Sequence, residues 1–228
     1  MSIQVNNISK TFDGKKVLSS INFKAEAGDI IGLIGPNGAG KSTIMKIITG
    51  LYPPNEGTVY ICGENIQINT ANSQKKIGYL AEENPLYQDM YVSEFLEFIC
   101  DIHKINSNKV KEMIDLTGLI KVKNQKIKTL SKGFKQRVGI AQALIHNPDI
   151  IILDEPTSGL DPKQLIEIRK IITNLGKDKT IILSTHILQE VEAMCNRIII
   201  INQGKLIIDE KIQTFDKKIE EKFLQLIK

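Results

Sequence analysis

Gly35-Pro36-Asn37-Gly38-Ala39-Gly40-Lys41-Ser42 is the stretch from which the rest of the chain can be read. It fits G-x-x-x-x-G-K-[ST], a loop whose glycines let the backbone curl until several N–H groups face inward. A cradle of that kind at the positive end of a helix suits phosphate oxygens. Lys41 adds a full charge for the β- and γ-phosphates, and Ser42 offers a hydroxyl to Mg²⁺. The flanks agree with this reading. Ile30 to Ile34 is a short buried-strand candidate, and Lys41 to Thr49 is expected to be a helix ended by Gly50. A chance match in a Gly-containing loop would have no reason to sit between a strand and a helix.

Further along, Ile150-Ile151-Ile152-Leu153 is an aliphatic strand that ends in Asp154 and Glu155. Ligands bind at strand ends in parallel sheets. Asp154 is placed to hold Mg²⁺ through water. Glu155 is placed to take a proton from a water attacking the γ-phosphate. Alone, the two acids would read equally well as the solvated start of a loop. The phosphate loop upstream decides between the readings.

Between these two points the pattern changes period. Ser2 to Asn6, Val17 to Ala25, Gly57 to Cys62 and Ile77 to Leu80 read as strands, with a turn at Asp13-Gly14. Val92, Phe95, Leu96, Ile99 and Ile102 fall at helical spacing, which predicts a helix over Val92 to Ile105. Helices are also expected over Lys109 to Thr117 and Ser131 to His146, the latter stopped by Pro148. Asp161-Pro162 reads as an N-cap followed by proline at the first helical position, with the helix closing near Gly176. Thr180 to Ser184 and Ile198 to Ile201 are expected strands, Leu188 to Cys195 a helix, and Gln203-Gly204 a hairpin turn. Alternating strand and helix implies a parallel sheet covered by helices.

Composition sets the outer limits. The 228 residues suffice for one large domain, or for a core with a smaller lobe. A net charge of +4 with scattered Lys and Arg gives no nucleic-acid footprint, and no nucleic acid is expected as a partner. Cys62, Cys100 and Cys195 are far apart, which reads as buried thiols in a reducing compartment. MSIQVNN lacks the charged and apolar regions of a signal peptide. No apolar run approaches the roughly 20 residues of a membrane-spanning helix, so any pore is expected to belong to another polypeptide.

Three further segments narrow the reading. Leu130-Ser131-Lys132-Gly133-Phe134-Lys135-Gln136-Arg137 resembles the signature sequence of ABC ATPases, commonly written LSGGQ. Thr157-Ser158-Gly159-Leu160-Asp161 resembles their D-loop, and Ser184-Thr185-His186 their switch-histidine segment. Order and spacing match over nearly the whole chain. The resemblance implies an α/β fold. Its P-loop NTPase core has a mainly parallel sheet, an N-terminal antiparallel β subdomain and an inserted α-helical subdomain. Residues 1–83 and 147–228 would form the core with the β subdomain, and 84–146 the helical subdomain.

The same resemblance assigns roles. ATP and Mg²⁺ would lie on Gly35, Pro36, Asn37, Gly38, Ala39, Gly40, Lys41, Ser42 and Thr43, with Phe12 stacking on adenine beside Val17. Lys41, Glu155 and His186 would form the catalytic set, and Asp154, Ser42 and Glu82 would face the metal. Ser131, a natural N-cap, together with Lys132 and Gly133 would bind the γ-phosphate of ATP held by a second protomer. Asp161 would cap its helix and contact that protomer. His103 and His146 have no comparable context and receive no role.

The implied partners are integral membrane permease subunits and a second ATPase protomer, identical or related. The implied location is cytoplasmic, peripheral at the inner face of the membrane. Two departures from the family pattern stand out. Lys132 and Phe134 replace the Gly and Gln of many relatives. Glu82 stands where Gln is usual and adds negative charge beside an acidic site, which is expected to tune Mg²⁺ binding without abolishing turnover. Ile77-Gly78-Tyr79-Leu80-Ala81-Glu82 and the Leu-Ser-Lys-Gly signature are similar to drug-, antibiotic- and gliding-motility-related exporter ATPases. The alternative is a soluble ABC ATPase in cofactor assembly or nucleic-acid metabolism. The nucleic-acid kind would need coiled coils between Lys41 and the signature, and the chain has none. A P-loop small-molecule kinase would lack the signature and the His186 segment.

Overall fold

The strand before the phosphate loop is central because both its faces are apolar. The computed structural model describes residues 1–214 together with 221 and 225. Ten strands and seven helices follow in the order β1 (Ile3–Phe12), β2 (Lys15–Ala25), β3 (Ile30–Ile34), α1 (Lys41–Ile48), β4 (Glu56–Ile61), β5 (Glu64–Asn65), α2 (Thr70–Gln74), β6 (Ile77–Leu80), α3 (Val92–His103), α4 (Asn108–Leu116), α5 (Lys132–Leu144), β7 (Ile150–Leu153), α6 (Pro162–Leu175), β8 (Thr180–Thr185), α7 (Leu188–Met194), β9 (Arg197–Asn202) and β10 (Lys205–Lys211) among the described residues. The expected C-terminal end of the core, over 215–228, lies outside the described residues except for 221 and 225.

Two sheets result. One has the order β2-β1-β4-β5 and is antiparallel throughout; the other runs β10-β9-β3-β8-β7-β6, parallel except at its β10 edge. The expected α/β class is therefore observed. Alternation along β7 divides the core. Ile151 and Leu153 face one side with Ile181, Leu183, Ile198 and Ile200, where α3, α4 and α5 pack through Phe95, Leu96, Ile99 and Val110. Ile150 and Ile152 face the other side with Ile182, Ile199 and Ile201, against α1 and the antiparallel sheet. Helix α1 thus lies between the two sheets, and the phosphate loop opens at their junction.

Several expected boundaries move for identifiable reasons. β1 continues past Asn6 to Phe12 because bulges, with Asn7 in the left-handed region, reset its alternation. Helix α3 stops at His103, where Lys104 adopts a left-handed cap. β5 and α2, both very short, were not expected. Gln203 and Gly204 both have positive φ, the requirement of a tight hairpin turn between β9 and β10. Cys100 and Cys195 are buried as expected, but Cys62 is half-buried. Among the described residues no helix is long and apolar enough to cross a membrane.

Where α3 and α5 end, His103 and His146 stack face to face with ring centroids 4.2 Å apart. The Nε2 of His146 lies 3.1 Å from the carbonyl oxygen of Ile77. A carbonyl only accepts, so Nε2 carries the proton and Nδ1 is the site for a second. That Nδ1 is buried without a partner. Burial, with His103 alongside, pushes the His146 pKa from 6.5 down to about 4. Burial also lowers His103.

The native state therefore excludes a proton that the unfolded chain accepts once pH drops below 6.5. Stability is lost as pH falls from 6.5 towards 4. Discounted for partial exposure, the loss is about 1–2 kcal/mol. His146→Gln keeps a donor for the Ile77 carbonyl and removes the titration. Urea unfolding at pH 7 and pH 5 is expected to show a shallower acid loss for this variant than for the wild type.

Candidate functional site

The phosphate loop leaves β3 and turns into α1 through Gly40, whose φ of 109° only glycine adopts readily. Gly35 is required by a different constraint, since a Cβ there would sit 2.1 Å from the carbonyl oxygen of Ile201. The turn is fastened by hydrogen bonds from Ala39 N–H to Pro36 O at 3.1 Å and from Gly204 N–H to Ala39 O at 3.0 Å. Lys41 Nζ donates to the carbonyl oxygens of Gly35 at 2.7 Å and Pro36 at 3.3 Å. Its ammonium is held inside the loop by backbone dipoles and is in no ion pair among the described residues. Burial lowers the Lys41 pKa, while Glu155, Asp154 and Glu82 oppose that shift.

A cleft of about 730 Å³ opens over this loop. Its walls bring together most of the predicted residues: Val17, Asn37, Gly38, Gly40, Lys41, Ser42, Thr43, Glu82, Asp154 and Glu155. Gly35, Pro36 and Ala39 build the loop and do not line the cleft. Phe12 lies away from the lining; its half-exposed ring meets Tyr52 edge-on at 5.6 Å, with Lys10 Nζ 5.0 Å from its centroid. Sequence reasoning missed Lys15, Lys16, Gln203 and Gly204, which complete the walls. Two lysines on a hairpin next to Val17 were the available signal, since cations gather where anions bind.

The acids are held by the neighbouring strand. Ser184 Oγ donates to Asp154 Oδ1 at 2.6 Å and accepts the Glu155 N–H at 2.8 Å. Asp154 is buried. Glu155 has a φ of 51°, a left-handed conformation that costs about 1–3 kcal/mol and persists only when the surroundings impose it. This turn aims the Glu155 carboxylate at His186, whose Nδ1 lies 3.2 Å from both carboxylate oxygens. The His186 side chain is 59% exposed and Glu155 only 13%; the acid lines the cleft, whereas the histidine lies outside its lining and touches it through Glu155.

The donors suit a hard cation: a hydroxyl from Ser42 and carboxylates from Asp154 and Glu82 face one cleft. Among the described residues no three His, Cys, Asp or Glu side chains converge into a metal cage. That combination fits Mg²⁺, which retains water and shares phosphate oxygens with one or two carboxylates.

Ser131, Lys132 and Gly133 do not line the cleft. Ser131 caps α5, its Oγ accepting the Phe134 N–H at 3.4 Å. Lys132 Nζ is 3.4 Å from Ser158 Oγ, and Gly133 lies against the Gln164 side chain. Asp161 caps α6 in a reciprocal box with Gln164. The signature and the D-loop thus share one surface. From the same helix, Gln136 reaches the carbonyl oxygen of Glu155 at 3.4 Å. Arg137, also buried, pairs with Glu167 on α6 and donates to Thr117 O.

Comparison with known proteins gives a consistent result. The ABC transporter family matches residues 18–158. The lantibiotic transport ATP-binding protein SrtF of Streptococcus pyogenes is 36% identical over 97% of this chain and 95% of its own length. The bacitracin transport ATP-binding protein BcrA of Bacillus licheniformis is 37% identical over 98% of this chain and 74% of its own. The dimeric, post-hydrolysis cassette MJ0796 bound to ADP and Pi superposes with a TM-score of 0.85 at 29% identity, over 92% of this chain and 98% of that one.

Proposed function

Since this chain belongs to the ABC transporter family as an ATP-hydrolysing subunit, we propose that it is the motor of an exporter and works as a pair of copies that share two ATP molecules. One observation carries the pairing. The signature residues Ser131 to Gly133 are absent from the lining of the cleft that holds Lys41. The capped N-terminus of α5 therefore offers its positive end to a phosphate bound elsewhere. A second protomer, set head to tail, brings it over that cleft. Asp161, on the same surface, meets the partner.

Within each cleft, the loop amides and Lys41 bind the phosphates, with Val17 on the nucleoside side and Phe12, outside the lining, available to stack on a base that extends past it. Ser42, Asp154 and Glu82 would hold Mg²⁺, which when bound neutralises charge on the β- and γ-phosphates. Glu155 takes a proton from the attacking water, and His186, in contact with Glu155, orients it. The helical segment over 84–146 carries the resulting motion to membrane permease subunits at the inner face of the membrane. Gln136, Arg137 and their partners join that segment to Glu155 and α6, which gives the motion a material path.

The exporter reading is supported by the similarity to two transport ATP-binding proteins, SrtF over 95% of its length and BcrA over 74%. It predicts that the tagged chain sediments with membranes only when a multi-span partner is expressed beside it. A native chain that stays entirely in the soluble fraction would refute this. Glu82 affects the metal more than the chemistry in this account. Glu82→Gln is expected to shift the Mg²⁺ concentration for half-maximal ATPase rate by several-fold with little change in the maximum rate; superimposable curves would remove the role.

A further inference from the structure

Glu190 is a carboxylate with no place in the scheme so far, yet it is only 3% exposed. It stands in the first turn of α7, outside the cleft. One of its oxygens, Oε2, accepts two hydrogen bonds, from Thr157 Oγ at 2.5 Å and from Thr185 Oγ at 2.8 Å. Thr157 follows Glu155 by two residues. Thr185 immediately precedes His186. Both threonines are buried. The Thr185 hydroxyl also accepts the Ile187 N–H at 3.1 Å, so the backbone on both sides of His186 is tied into the same knot.

Burying a carboxylate is costly unless its surroundings supply hydrogen bonds. A fold needing only an apolar contact here would be served as well by a leucine. What the carboxylate adds is a single atom bonded at once to the loop after β7 and to the end of β8. Those are the two segments whose side chains meet beside the cleft, with His186 Nδ1 3.2 Å from both Glu155 oxygens. Ser184 joins the same segments one layer closer to the sheet, through Asp154 Oδ1 and Glu155 N–H. Ser184 sets the backbone at Glu155, but it does not reach the residues beyond Glu155 or those around His186. The left-handed backbone at Glu155 needs restraint from both sides, and Thr157 supplies the downstream one.

We propose that Glu190 is a positioning residue for hydrolysis: its buried Oε2 clamps the loop carrying Glu155 to the strand end carrying His186 and so sets the spacing of those two side chains. The proposal rests on the roles of Glu155 and His186 given above. It requires no contact between Glu190 and ATP, metal or water. It follows that loss of the clamp impairs turnover and leaves nucleotide affinity intact.

The test is a mutant cycle on the full chain. Glu190→Ala is expected to lower kcat by about 10- to 100-fold, the range for slight misplacement of a catalytic group, with KM for ATP altered less than about threefold. Glu190→Gln keeps an acceptor oxygen for both hydroxyls and should recover most of the rate. In a His186→Ala background, Glu190→Ala should cost clearly less than it does in the wild type, because one of the two side chains whose spacing it sets is gone. If Glu190→Ala does not fold, Thr185→Val and Thr157→Val remove the two donors isosterically and should each lower kcat without adding in full to each other. A Glu190→Ala rate within twofold of wild type, a glutamine variant as slow as the alanine one, or full multiplication with His186→Ala would each overturn the clamp. Wild-type turnover in His186→Ala alone would instead refute the site reading on which it rests.

Discussion

Glu155→Gln is expected to bind ATP as tightly as the wild type and to hydrolyse it about 100- to 10,000-fold more slowly, the range of a general base. The amide keeps the size and position of the carboxylate but cannot take a proton. Its backbone should be unmoved, because the bonds that impose the left-handed turn run through main-chain atoms: Ser184 Oγ accepts the Glu155 N–H, and the Glu155 carbonyl accepts from Gln136 and from Ser158 N–H. The side chain is largely buried, so bulk solvent cannot easily replace it as proton acceptor. The measurements are ATPase rate under saturating ATP and affinity for a fluorescent ATP analogue. Near-normal turnover would move the base elsewhere, and lost affinity would mean that the change damaged the cleft.

Lys41→Ala is expected to have the opposite signature, with binding lost first. A hydrogen-bonded charge contact is worth about 2–3 kcal/mol, which corresponds to a fall in ATP affinity of about 30- to 150-fold. The structure favours the upper end. Lys41 is buried, is held by the carbonyls of Gly35 and Pro36, and feels the charges of Glu155, Asp154 and Glu82. Without it, a triphosphate would approach three carboxylates with only loop amides, Lys15, Lys16 and the magnesium to offset them. Equilibrium binding at fixed magnesium decides the matter. Unchanged affinity would show that the Gly35–Ser42 loop is not the phosphate site.

Much of the fold could be read in the sequence because the informative patterns are local. The aliphatic runs at Ile30 and Ile150 are short and bounded, Ser131 and Asp161 are chemically natural caps, and Gln203-Gly204 supplies the φ values its turn needs. The phosphate loop was legible for the same reason, since eight consecutive residues build it. What escaped notice depends on distance along the chain. Thr157 and Glu190 are separated by 33 residues and meet only after β8 and α7 have packed. Nothing in its immediate sequence sets Glu190 apart from any other charge on a short helix. His103 ends α3 and His146 lies in the turn after α5, and neither neighbourhood hints at the stacking. Lys15 and Lys16 read as hairpin charges until β2 is placed beside the loop. The pattern stops at Asn6 because the bulges of β1 break the alternation on which strand recognition depends.

The proposed division of each ATP site between two copies of the chain is tested most directly by the solution mass of Glu155→Gln. Light scattering after size exclusion should give one chain, 25.5 kDa, without nucleotide and twice that mass with ATP and magnesium. Replacing Ser131 with Arg in the same background should abolish the doubling while ATP still binds. A Glu155→Gln protein that holds ATP and remains a monomer at every concentration, or one whose dimer is indifferent to Ser131, would contradict the shared site.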